Sequence, residues 1–149
     1  MNIEPIRRTA PKLHSERGGV AAPVMAADFP SGEKHVAEVR RWMRGGLLRY
    51  GVHDVEHAAL LVLSEVVTNV VRHTSSKRFT VRVDLSDGVE VAVHDSDPTM
   101  PKVRAAQSSD ESGRGMVMVQ ALADDWGVHA VTGGKWVWFR LSRDFPAAA

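Results

Sequence analysis

The chain has 149 residues, 44% hydrophobic and 25% charged, and 19 Lys+Arg against 18 Asp+Glu leave it at +1. This is one soluble domain's worth of sequence, and its near-neutral balance excludes bulk attraction to nucleic acid or to an acidic membrane. The absence of cysteine excludes a disulfide framework, a thiolate zinc site and a cysteine nucleophile.

Residues 1–22 mix Pro5, Pro11, Gly18 and Gly19 with Arg7, Arg8, Lys12 and Arg17 against Glu4 and Glu16, and read as a flexible N-terminal arm. They lack the charged start, apolar core and cleavage site of a signal peptide, and no apolar run spans a bilayer, so a cytoplasmic protein is expected. A domain over 23–143 and a short tail over 144–149 follow. "VMAADF" (Val24 to Phe29) is a strand ending at Pro30, and Ser31 is placed to cap a helix from about Gly32 to Leu48. Val36, Val39, Trp42 and Met43 mark its apolar side, and Gly45-Gly46 is expected to fray it. Gly51 ends the connection, and Asp54 is expected to cap a second helix running to about Thr74.

"RFTVRVDLS" alternates, with Phe79, Val81, Val83 and Leu85 on one face; Asp87-Gly88 then signals a hairpin into "VEVAVHD". Ser96 to Ser112 is polar and irregular, long enough for a functional loop or lid. A helix is expected from about Gly115 to Asp124, followed by "WGVHAVT", a Gly133-Gly134 turn and "KWVWFRLS" as a closing hairpin. This order predicts an α+β two-layer sandwich with helices on one face of a mostly antiparallel sheet.

Within "LLVLSEVVTNVVRH" (Leu60 to His73), Glu65 and Asn69 are four apart and share one helix face, a line His73 continues. A carboxylate and an amide oxygen one turn apart suit a hard cation such as Mg²⁺, or a base beside a metal-bound phosphate; a solvated stripe has the same pattern. Asp95 ends a strand, where its carboxylate either accepts a hydrogen bond from a ligand amino group or starts the turn at Ser96-Asp97-Pro98. Asp97 and Asp110 read as solvated loop acids. Gly113-Arg114-Gly115 opens a helix, an arrangement that leaves backbone N–H groups free for an anion or serves as a flexible turn. His53 and His57 have helical spacing but no third ligand nearby, which argues against zinc. Trp136 and Trp138 share the strand face opposite Val137 and Phe139, as an interface would place them. No P-loop, Rossmann fingerprint or nucleophile elbow is present.

Taken in order, four segments form a pattern. "SEVVTNVVRH" resembles the N box of the GHKL (histidine-kinase-like) ATPases, "VAVHDSDPTMP" their first glycine box, "ESGRGMVMVQALADDWGV" their second, and "GGKWVWFRL" their closing motif. The resemblance spans about Ala22 to Ser142 and is strongest to the short anti-sigma factor serine/threonine kinases, particularly the actinobacterial ATP-binding proteins. It implies a Bergerat-type ATP-binding fold on a mixed, mostly antiparallel sheet. It also implies that Asn69 ligates Mg²⁺, that Glu65 orients or deprotonates the attacking hydroxyl or water, and that Asp95 bonds the adenine amino group. Gly113, Arg114, Gly115 and Met116 match the lid around the phosphates, and Asp97 and Lys135 fall among the nucleotide-binding residues. The pattern departs in the first glycine box, where Asp97 and Thr99 replace two glycines and put a side chain and a negative charge where bare backbone approaches the base.

The implied activity is that of a regulatory protein kinase. It would bind Mg·ATP, phosphorylate a serine or threonine of an anti-anti-sigma antagonist, alternately bind a sigma factor, and form a homodimer to which Trp136 and Trp138 contribute. Two other readings fit the same residues: a non-catalytic ATP-binding switch, and a partner-binding module with a degenerate nucleotide site.

Overall fold

The structure, a computed structural model, describes residues 24–97 and 119–143. The N-terminal arm, most of the expected lid, the helix start at Gly113, Arg114, Gly115 and Met116, and the C-terminal tail lie outside the described residues. Five strands form one sheet: β1 (Val24–Pro30), β2 (Arg78–Asp84), β3 (Val89–Asp95), β4 (Asp125–Val131) and β5 (Gly134–Leu141). Their spatial order is β1-β2-β3-β5-β4, and all four pairings are antiparallel. β-Branched alternation drives these strands, because one row of side chains can be buried while the next stays on the other face.

The buried row joins Phe79, Val81 and Val83 of β2 to Val89, Val91 and Val93 of β3 and to Val137, Phe139 and Leu141 of β5. Against it pack α1 (Val36–Arg49) through Val39, Met43 and Leu47, and α2 (Glu56–His73) through Ala59, Leu60, Val62, Leu63, Val66, Val67 and Val70. Each fully buried valine or leucine contributes about 1.5–3 kcal/mol over exposure, so this stripe sets the register of sheet and helices together. Phe29 joins strand to helix, its ring 5.6 Å from Trp42 edge-on and 5.7 Å from Phe79 in a stack. No helix among the described residues is long and apolar enough to cross a membrane.

Several local expectations are corrected. Ser31 does not cap α1: its backbone N–H is drawn to Lys77 O at 2.9 Å beside the β1–β2 ladder, and its hydroxyl is buried without a partner. A 3-10 turn (Glu33–His35) intervenes before the α-helix begins. Gly45-Gly46 does not fray α1, which continues to Arg49, because Gly46 is buried where a Cβ would collide with the Met25 thioether. Gly51, at φ 71°, lies at the start of the α1–α2 connection rather than at its end, since α1 stops at Arg49 and α2 begins only at Glu56. Asp54 does not cap α2; Val55 holds that position, and the Asp54 carboxylate accepts from Arg143 Nε at 3.0 Å, joining the interhelical loop to the end of β5. β2 stops at Asp84 because that side chain accepts from Ser86 N and Oγ, turning the chain before Gly88 at φ 77°.

The sheet face away from the helices also differs from expectation. Trp138 is only 2% exposed and packs with Ala92 and Trp136, while the Arg140 guanidinium lies 5.2 Å from its ring centroid. A tryptophan already covered this way contributes to the monomer's own packing, so the expected exposed interface at Trp138 is not present. Trp136 stays partly open, against His94 at 5.0 Å.

Candidate functional site

The buried rows of β3 and β5 both end in charge. Along β3 the row runs Val89, Val91, Val93 and then Asp95; along β5 it runs Leu141, Phe139, Val137 and then Lys135. These two charged residues are direct cross-strand partners. Lys135 Nζ donates to Asp95 Oδ1 at 2.9 Å, and the two side chains are 3% and 0% exposed. Gly134 lets β5 reach this point: a Cβ there would strike the Asp95 carbonyl oxygen.

The turn after Asp95 is held from several sides. Asp97 N donates to Asp95 Oδ1 at 2.8 Å, and Lys135 Nζ also donates to Asp97 O at 2.6 Å. Ser76 Oγ accepts from Ser96 N at 3.2 Å and from Ser96 Oγ at 3.0 Å. The Asp97 carboxylate takes the Ser75 N–H at 3.0 Å, with the Ser75 hydroxyl at 3.4 Å. Asp97 is therefore not a merely solvated loop acid. The side chain that replaces a glycine here is tied to the chain just beyond α2.

One atom in this network lacks a protein partner. Asp95 Oδ2 is buried and accepts nothing from the described residues. A buried, unpartnered carboxylate oxygen is costly unless a donor completes it, and the exocyclic amino group of a base is such a donor.

α2 supplies the second group of polar side chains. Its buried stripe leaves Ser64, Glu65, Thr68 and Asn69 on a half-buried flank. Ser64 turns its hydroxyl back to Leu60 O at 2.7 Å, and beyond the helix Thr74 does the same to Val70 O at 2.6 Å. Glu65 and Asn69 make no hydrogen bond or ion pair among the described residues. A carboxylate and an amide oxygen, partly desolvated and uncommitted on one helix face, fit a hard cation with bound phosphate. His73 ends the line, exposed. Among the described residues no three His, Cys, Asp or Glu side chains gather as a metal cage, at His53 and His57 or elsewhere.

The structure thus brings Asp95, Asp97 and Lys135 into one contact network, and the Ser75 and Ser76 bonds attach that network to the end of the helix carrying Glu65 and Asn69. Sequence reasoning missed Ser75 and Ser76, although they directly follow the N-box segment as the small polar residues of "RHTSSK". It also missed that Lys135 and Asp95 are partners. The available signal was a charge at the end of each otherwise apolar alternation.

No curated protein is detectably similar to the chain. Among solved structures, one containing the RsbU and RsbW domains of Rv1364c from Mycobacterium tuberculosis shares the fold, with a TM-score of 0.58 at 20% identity. That match covers 81% of this chain and 33% of the other, so this chain spans only about a third of the chain in that structure. The sequence profile of the histidine kinase-like ATPase domain matches residues 29–141, which takes in every strand and helix described above except β1, of which only Phe29 and Pro30 fall within it. The chain belongs to the histidine kinase-like ATPase domain family.

Proposed function

We propose that this domain binds Mg·ATP and acts as a regulatory serine/threonine kinase of the anti-sigma factor type. The observation that carries the nucleotide reading is Asp95, buried at a strand end with one carboxylate oxygen held by Lys135 and the other unpartnered. That free oxygen accepts from the adenine amino group. Asn69 would hold Mg²⁺, and Glu65 stands one helical turn away on the same half-buried flank. When bound, the metal neutralises phosphate charge, the principal electrostatic demand of phosphoryl transfer. Glu65 would orient the attacking hydroxyl and take its proton as the oxygen bonds to the γ-phosphorus, while the bond from that phosphorus to the β,γ-bridging oxygen breaks and ADP leaves. Gly113, Arg114, Gly115 and Met116 supply the phosphate lid in this reading, with Arg114 adding a charge-assisted bond.

The four motifs in order, the family membership and the fold shared with an RsbW-containing structure support a kinase that phosphorylates an anti-anti-sigma antagonist and alternately binds a sigma factor. The test is transfer of labelled γ-phosphate from Mg·ATP to a purified antagonist. Loss of a general base typically costs about 10²–10⁴-fold, so Glu65→Ala should abolish the signal while retaining nucleotide binding. Binding without transfer in the wild type would leave a non-catalytic nucleotide switch instead.

A further inference from the structure

Lys135 spends its ammonium group inside the protein. One N–H goes to Asp95 Oδ1 at 2.9 Å and another to Asp97 O at 2.6 Å, and the side chain is 3% exposed. These bonds fix both sides of the turn that follows Asp95. The first of them and the Asp97 N–H at 2.8 Å together occupy Oδ1, so Oδ2 is the atom left to meet a ligand. The Asp97 carboxylate, bonded to Ser75 N, is held by a different partner and does not supply a donor to Oδ2.

Resting on the nucleotide reading above, we propose that Lys135 is a positioning residue for base specificity. By compensating the charge of Asp95 and occupying Oδ1, it keeps the carboxylate an acceptor whose other oxygen has no partner among the described residues. An acceptor in that place takes a purine with an amino group at position 6 and rejects one with a carbonyl there, whose oxygen would face it lone pair to lone pair. Without the ammonium, a carboxylate buried this deeply is left uncompensated and free to turn. A turned Asp95 no longer holds a fixed acceptor against position 6, and the carbonyl is no longer rejected. Lys135 therefore acts through Asp95 and need not touch the nucleotide.

The experiment compares Mg·ATP with Mg·ITP, whose bases differ at position 6 by amino against carbonyl, using calorimetric titration of the full chain. The proteins are wild type, Lys135→Met, Lys135→Arg and the double variant Asp95→Asn with Lys135→Met. The wild type should prefer ATP, and Lys135→Met should shrink the ATP-to-ITP ratio by about tenfold or more, the range of one mismatched buried hydrogen bond. Lys135→Arg, which keeps the charge, should recover part of the preference. The double variant removes both charges and covers the case in which Lys135→Met does not fold; its uncharged amide offers donor or acceptor, so discrimination should collapse there too. A merely structural lysine would weaken both nucleotides alike. An unchanged ratio in every variant, with wild-type ATP binding intact, overturns the proposal and leaves the nucleotide reading standing. A wild type that binds neither nucleotide overturns both.

Discussion

Two buried ion pairs cross the same seam between β3 and β5, on opposite faces of the sheet. Glu90 and Arg140 are cross-strand partners at one end, Asp95 and Lys135 at the other. The outer pair has alternatives: Arg140 gives both Nε, at 3.0 Å, and Nη2, at 2.6 Å, to one Glu90 oxygen, approaches Asp125 at 3.6 Å and covers Trp138. The Arg140 side chain is 19% exposed, so water also shares the charge. The inner pair is sealed, and its lysine is bonded to the turn after β3 as well as to the acid. Both acids retain a buried oxygen without a partner among the described residues. Only the inner one stands at a strand end, joined through Ser75 and Ser76 to the helix that carries Glu65 and Asn69. The same chemistry serves as a cross-strand staple in one place and as part of a candidate site in the other. Connectivity, not charge, makes the difference.

The strongest way to break this comparison is to remove one partner from each pair. Lys135→Met leaves Asp95 buried and uncompensated, and should cost about 3–5 kcal/mol in urea unfolding. If it costs no more than an exposed pair, the seal around Asp95 is not what its burial indicates. Next in size is the ligand effect: the wild type should gain about 2.7 kcal/mol at roughly 100 times the dissociation constant of Mg·ATP, measured by thermal unfolding. Asn69→Ala should shrink that gain while changing unliganded stability by only about 0.5 kcal/mol, since Asn69 has no described partner to lose. Glu90→Ala should cost less than the lysine variant, about 1.5–3 kcal/mol, because Arg140 keeps Asp125, Trp138 and some water. Equal losses in the Glu90 and Lys135 variants would erase the distinction between the pairs. Arg44→Ala should be smallest: its 3.6 Å pair with Glu56 is exposed and worth within about 0.5 kcal/mol.

Much of the fold was legible because alternation and helical periodicity are local. β3 falls on "VEVAVHD" as expected, the closing hairpin turns at Thr132-Gly133, one residue before the expected Gly133-Gly134, and α2 stays helical through its valine-rich run. The helix boundaries were less legible. Ser31 and Asp54 have the chemistry of caps, but neither takes that position: the Ser31 backbone N–H extends the sheet to Lys77 O, and the Asp54 carboxylate goes to Arg143. Gly46 has low helix propensity, and the packing of Met25 against it outweighed that local cost.

The site divides along the same line. Sequence alone determined that Glu65 and Asn69 share a helix face and that Asp95 ends a strand, since both follow from spacing within one element. Only the tertiary structure decided that β5 lies beside β3, which sets Lys135 against Asp95 across 40 residues of chain. It likewise decided that the Asp97 carboxylate meets Ser75, and that Trp138 lies covered rather than exposed. Periodicity reports which side of an element a residue occupies. What stands opposite depends on which element packs there, and that is fixed by burying the whole apolar stripe at once.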